Sequence, residues 1–302
     1  MDVLRTTGYH PRPPFLVARD RGFFAREGLV VDYHVTTYAP DHNAGMAAGK
    51  WDLTLSSADT MMARVDSDGT DYVLFMQGER GLDAHLVGAP GITSVADLRG
   101  KLLAGDPGDS NLDVVRLKIM RDNGVDDDAY QVRIIGSSPV RLEALLRGEV
   151  VAAMLPPPHD TTAVQAGYRR LAAANDYVRD YPLMCGWTLR RWAEANRERL
   201  VRFIRAYAEA TDWLLEPAHR EATLALMQRE QKLSREEAEL RYSHVVPHAA
   251  IDPAGLLRLQ TLRIQMGFGR PPYPPVERYY DASYWAEATG RPPPPPAGAP
   301  RL

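Results

Sequence analysis

Short apolar runs of strand length alternate repeatedly with longer segments of helical period, and this alternation constrains the chain more than any other feature. Residues 3–7 read as a strand, Gly8-Tyr9-His10-Pro11 as a loop, and residues 14–19 as a helix whose opening proline needs no donor. Strands are expected at 30–35, 52–56 and 72–77, with a helix capped by Asp41 ending near Gly49 and another over 58–65. Ser94-Val95-Ala96-Asp97 carries a helix-start signature. The strand 102–105 leads into Asp106-Pro107-Gly108-Asp109-Ser110-Asn111, a loop that opens a helix through Leu112, Val115 and Met120. Strands at 132–135 and 150–155, with a helix at 141–147, carry the pattern to Pro156-Pro157-Pro158-His159-Asp160. The prediction is an α/β protein with mainly parallel sheets. Beyond Arg190 the pattern gives way to long helices at 197–215, 219–232, 234–243 and 253–266, a helical C-terminal part that buttresses one lobe. The proline run 292–296 predicts an extended, mobile tail over 291–302.

With 45% hydrophobic and 25% charged residues, 302 positions suffice for two domains with separate cores. Thirty-six basic against 39 acidic residues leave a net charge of -3, without the footprint that a nucleic-acid backbone requires. Cys185 is the one cysteine, so neither an intrachain disulfide nor a thiolate metal cluster can form. No apolar run approaches the ~20 residues of a membrane span, so no membrane insertion is expected. Met1-Asp2-Val3-Leu4-Arg5 runs into a strand without the parts of an export signal. This predicts a cytoplasmic location as sequenced, or a periplasmic one if the export signal lies outside this chain.

Four segments, in order, resemble the sulfonate-, taurine- and thiamine-precursor-binding branch of the type 2 periplasmic binding proteins. They are the stretch from Pro14 through Asp20-Arg21-Gly22-Phe23-Phe24 to Gly28-Leu29; Ala48-Gly49-Lys50-Trp51-Asp52-Leu53; Ile92-Thr93-Ser94-Val95-Ala96-Asp97-Leu98-Arg99-Gly100-Lys101; and Leu142-Glu143-Ala144-Leu145-Leu146-Arg147-Gly148-Glu149-Val150-Val151-Ala152-Ala153. Each is common alone; their order makes them specific. The resemblance implies a two-lobed fold with a cleft between lobes. One lobe is expected from 1–84 and 186–290, the other from 85–185, with hinges near Asp83 to Val87 and Leu183 to Trp187.

In open α/β sheets, ligands settle beyond the carboxyl ends of strands. That rule selects Tyr9, His10, Tyr38, Ser57 and Asp59, and from the inserted lobe Asp109, Ser110, Asn111 and His159, with Trp187 as a cover or a hinge brace. Helix-start amides with Ser110 and Asn111 suit a carboxylate or sulfonate, whereas Asp59 and Asp109 oppose a highly charged anion. His10 can donate to a ligand or exchange a proton near neutral pH, and a loop histidine bonded to backbone is the plainer alternative. His159 is a second cleft residue or a cap beside Asp160. His85 is expected to be hinge structure. Pro247 separates His244 from His248, which argues against a metal, and no cofactor is expected. Cys185 is expected to be a buried inert thiol.

The function expected is a substrate-binding receptor for a small polar or aromatic organic acid (sulfonate, carboxylate or pyrimidine-like), with an ABC permease as partner if the protein is exported. The alternative is a cytosolic lyase of decarboxylase type. The resemblance extends to dihydroxyphthalate decarboxylase, an aryl sulfinate desulfinase and the thiamine-pyrimidine synthases. His10 stands where the desulfinase pattern has cysteine and the cysteine-rich segment of the synthases is absent, so His10, with His159, would supply acid and base.

Overall fold

The computed structural model describes residues 1–36, 39–106, 110–269 and 271–298. Among these, ten strands make two five-stranded sheets: β1 (Asp2–Gly8), β2 (Leu29–Val35), β3 (Leu53–Ser56), β4 (Tyr72–Gln77), β5 (His85–Gly88), β6 (Leu102–Gly105), β7 (Gln131–Ile134), β8 (Ala152–Leu155), β9 (Arg169–Ala173) and β10 (Cys185–Leu189). The chain divides into two compact units. The first contains residues 1–80, 182–261 and the described residues from 269 onward; the second contains 81–181 and 262–268.

In the first unit the sheet order is β2-β1-β3-β10-β4, with β1 parallel to both neighbours and β10 antiparallel to both of its own. Every residue of β4 and β10 is buried, which is why Tyr72 to Met76 forms an unbroken apolar run and not an alternating one. β2, at the edge, buries Leu29 and leaves Val30 and Val35 exposed. The helix Arg197–Leu215 buries Leu200, Val201, Phe203, Ile204, Tyr207 and Leu214, a stripe at helical spacing. Phe203 stacks on Phe24 at 5.3 Å in the core of this sheet, and burying such a side chain contributes roughly 1.5–3 kcal/mol.

The second unit repeats the plan in the order β7-β6-β8-β5-β9, with β6 parallel to β7 and β8, and β5 antiparallel to β8 and β9. Its core gathers Val87, Ala104, Leu145, Val150, Ala153 and Leu155. The helix Ser138–Leu146 lies over β6 and β8, where Ala104, Ala152 and Ala153 are all buried.

The architecture is the expected two-unit α/β fold with a helical C-terminal part, but the sheets are mixed. Each takes two antiparallel pairings through β5 or β10, the first strand after the chain passes from one unit to the other. The expected boundaries fall four residues beyond the observed passages at 80/81 and 181/182, because His85 to Val87 and Cys185 to Trp187 are already sheet strands. Asp41 lies inside the helix Ala39–Ala47 instead of capping it, and His159 and Asp160, expected in a loop, open the helix His159–Gln165. No helix among the described residues is long and apolar enough to cross a membrane.

Candidate functional site

In the first unit, β1 ends at Gly8, a residue that must lack a side chain because a Cβ there would collide with the Tyr33 hydroxyl and the Leu55 carbonyl. Tyr9 and His10 follow in a bend, Tyr9 half-buried and His10 exposed. Arg12 then pins the loop from below through an ion pair with buried Glu79 (3.4 Å), and Gln231 donates to the Pro11 carbonyl at 3.2 Å. The Tyr9 ring lies 5.6 Å from His42, an imidazole buried on the helix Ala39–Ala47. Burial holds the pKa of His42 below the ordinary range, and its contact with Asn43 opposes this only in part. At the end of β3, Ser57 caps the helix Ala58–Asp68 by accepting from the Asp59 amide at 3.1 Å, and Asp59 is buried in the first turn.

In the second unit the corresponding rim is polar and closely tied. The Arg141 guanidinium, 1% exposed, donates to the Met154 carbonyl near the end of β8 (3.3 Å), to Ser138 Oγ (2.9 Å) and to the Gly136 carbonyl after β7. It also lies 3.3 Å from Asp106, which follows β6, so one cation joins three strand ends. Burial raises the pKa of Asp106 and the Arg141 charge pulls against it. Ser110 caps the helix Asn111–Asp122 by accepting from the Asp113 amide at 3.3 Å, and Asn111 Oδ1 lies 3.0 Å from the Leu112 amide. His159, half-buried at the end of β8, has its pKa lowered by burial and by Arg141, against the pull of Asp160.

The structure thus brings Tyr9, His10, Ser57 and Asp59 to strand ends of one unit, and Ser110, Asn111 and His159 to strand ends of the other. Tyr38 and Asp109 lie outside the described residues. Trp187 is not at a loop: it is 0% exposed in β10, edge-on to Tyr72 at 4.8 Å and to His42 at 5.7 Å, because β10 runs through the sheet interior where a hinge was expected. Cys185 is fully buried beside it, and burial pushes its thiol pKa up. His248 pairs with Asp212 at 2.7 Å, and among the described residues no three potential ligands converge as a metal site. His85 was expected to be hinge structure; it lies in β5 with Nδ1 2.8 Å from Asp160.

Sequence reasoning passed over His42, Arg12, Glu79, Asp106 and Arg141. Their role depends on burial, and nothing in Ser138-Pro-Val-Arg-Leu-Glu separates an arginine folded into the rim from one in solvent.

Comparison with known proteins finds a match to the NMT1/THI5-like family model over residues 12–220, more than half of the chain. No curated protein sequence matches. Solved structures with the same fold include the ligand-binding component of an ABC-type import system from Staphylococcus aureus with zinc bound. It is 13% identical with a TM-score of 0.77, covering 96% of this chain and 99% of that one. The periplasmic aliphatic sulphonate-binding protein SsuA from Escherichia coli is 18% identical with a TM-score of 0.68, covering 88% and 87%. The desulfurization enzyme DSZB is 13% identical with a TM-score of 0.71, covering 96% and 99%. At these identities the likeness is one of fold, shared by binding proteins and an enzyme alike. The family assignment rests on the model match: the chain belongs to the NMT1/THI5-like family.

Proposed function

We propose that the chain is a substrate-binding receptor for a small polar or aromatic organic acid, with residues at the carboxyl ends of the strands supplying contacts. The observation that carries this reading is the family match, which runs from Arg12 through both sheets, together with capped helix starts at Ser57 and Ser110 on those rims. The S. aureus and E. coli proteins named above are binding components, which supports the same role here. The rims supply hydroxyls, amides and an imidazole, enough to orient an acceptor-rich group. Buried Asp59 on the first unit's rim disfavours a multiply charged anion, whereas Asp106 is paired with Arg141. If exported, such a receptor delivers its ligand to an ABC-type permease.

Isothermal titration with separate sulfonate, aromatic carboxylate and pyrimidine panels tests the reading. Saturable binding of one class, weakened in His10→Ala, is the expected result. Heats no different from dilution for every panel would remove the receptor role.

A further inference from the structure

The second unit holds one more constellation, built from the start of β5, the first turn of the helix His159–Gln165 and β9. His85 pairs in the sheet with Leu155, the last residue of β8, and so stands at the same carboxyl rim as His159. Its Nδ1 lies 2.8 Å from Oδ2 of Asp160, a carboxylate that is 0% exposed. The same oxygen receives Arg170 through Nε at 2.9 Å and Nη2 at 2.8 Å. Arg170 also donates to Thr161 Oγ1 at 2.9 Å, which fixes the guanidinium in place.

Two physical arguments bear on the state of the imidazole. A bare nitrogen lone pair 2.8 Å from a carboxylate oxygen is repulsive, so Nδ1 carries a proton even though the contact is bent from an ideal hydrogen bond. Arg170 already neutralises Asp160, so the pair does not require a second positive charge on His85. Neutral imidazole with its proton on Nδ1 has a free lone pair on Nε2. The His85 side chain is 23% exposed while Nδ1 itself is sealed from solvent, so what solvent reaches is the rest of the side chain.

We infer that His85, held in this tautomer by Asp160, presents Nε2 on the second unit's rim as an acceptor for an N–H or O–H of the ligand. The ligand is then an organic acid that also carries a hydrogen-bond donor. Asp160 and Arg170 act through His85 as positioning residues. The ligand part rests on the receptor reading above; the tautomer does not.

Two measurements on the full chain separate the parts. In long-range proton–nitrogen spectra of nitrogen-15 histidine-labelled protein at neutral pH, the signals missing from both His85→Gln and His85→Asn belong to His85. They should show a proton on Nδ1 and none on Nε2; a proton on Nε2, or on both, overturns the inference. In titrations, para-hydroxybenzoate should bind roughly tenfold tighter than para-methoxybenzoate, which cannot donate. His85→Gln, whose amide oxygen reaches the Nε2 position, should keep most of that preference. His85→Asn, which reaches only the Nδ1 position, should lose it. A preference unchanged in His85→Asn overturns the ligand contact. If neither benzoate binds, the donor-bearing aromatic acid is the wrong class, and if the wider panels also fail the receptor reading falls while the tautomer result stands alone.

Discussion

His42 Nε2 lies 2.9 Å from the hydroxyl of Thr54, and that hydroxyl donates its only hydrogen to the Thr7 carbonyl, also at 2.9 Å. Thr54 must therefore accept from His42, which puts a proton on the imidazole Nε2. A buried histidine thus links β1, β3 and the helix Ala39–Ala47 beneath the Tyr9 loop.

That relationship predicts a pH dependence. Burial lowers the folded-state pKa of His42 and of His159 below the unfolded value of about 6.5, so the native state binds fewer protons than the unfolded one. Stability is complete above about pH 6.5 and drains as the pH falls through that value toward the folded pKa of each residue. The urea midpoint should fall between about pH 7 and pH 5, in a range where most exposed carboxylates are still ionised. His42→Gln should flatten the fall; an unchanged slope would show that another group causes it.

Arg141→Met should be among the most damaging single changes in the second unit. It releases the ends of three strands and leaves Asp106 without its cation, a loss of about 3–5 kcal/mol by analogy with other broken buried pairs. Chemical denaturation followed by circular dichroism measures it. A loss under about 1 kcal/mol would mean that the guanidinium is dispensable to the rim.

Gly186→Ala tests the packing of β10. A Cβ there would lie 2.5 Å from Phe75 Cε2 and 2.8 Å from Met76 Cγ, inside a core with no room to yield. The expected cost is about 1–3 kcal/mol in thermal or urea unfolding.

Cys185 should be inert in the native protein. Its sulfur is buried in β10 and its ionisation is suppressed by burial, so Ellman's reagent should label it only after denaturation. Rapid labelling of the folded protein would contradict both its place in the sheet and its exclusion as a nucleophile.

Much of the fold was legible in the sequence because many strands and helices of both units announce themselves by period and by end signals. Tyr72–Gln77, Leu102–Gly105 and Arg197–Leu215 lie where the pattern puts them. The antiparallel strands β5, β9 and β10 were not legible. His85–Gly88 is only four residues long, Arg169–Ala173 begins with two arginines, and Cys185–Leu189 includes a glycine. Of the candidate site, the loops could be placed because they follow strands. What could not be read is which polar side chains turn inward: Arg141, His42 and Asp160 gain their significance from partners in other elements of the fold, Met154, Thr54 and His85 among them. Trp187 illustrates the converse, an aromatic that looks like a ligand cover until the strand order encloses it.

The receptor reading is tested most directly by mass spectrometry of the purified protein after incubation with a mixture of sulfonates, aromatic acids and pyrimidines. Protein-bound and free compounds would both be recorded. The account predicts one acid retained by the native protein, chemically unaltered, and retained less by His10→Ala. Retention of nothing, or the appearance of a new product that is lost in His10→Ala, would contradict it; the second result would make the protein an enzyme that uses this fold.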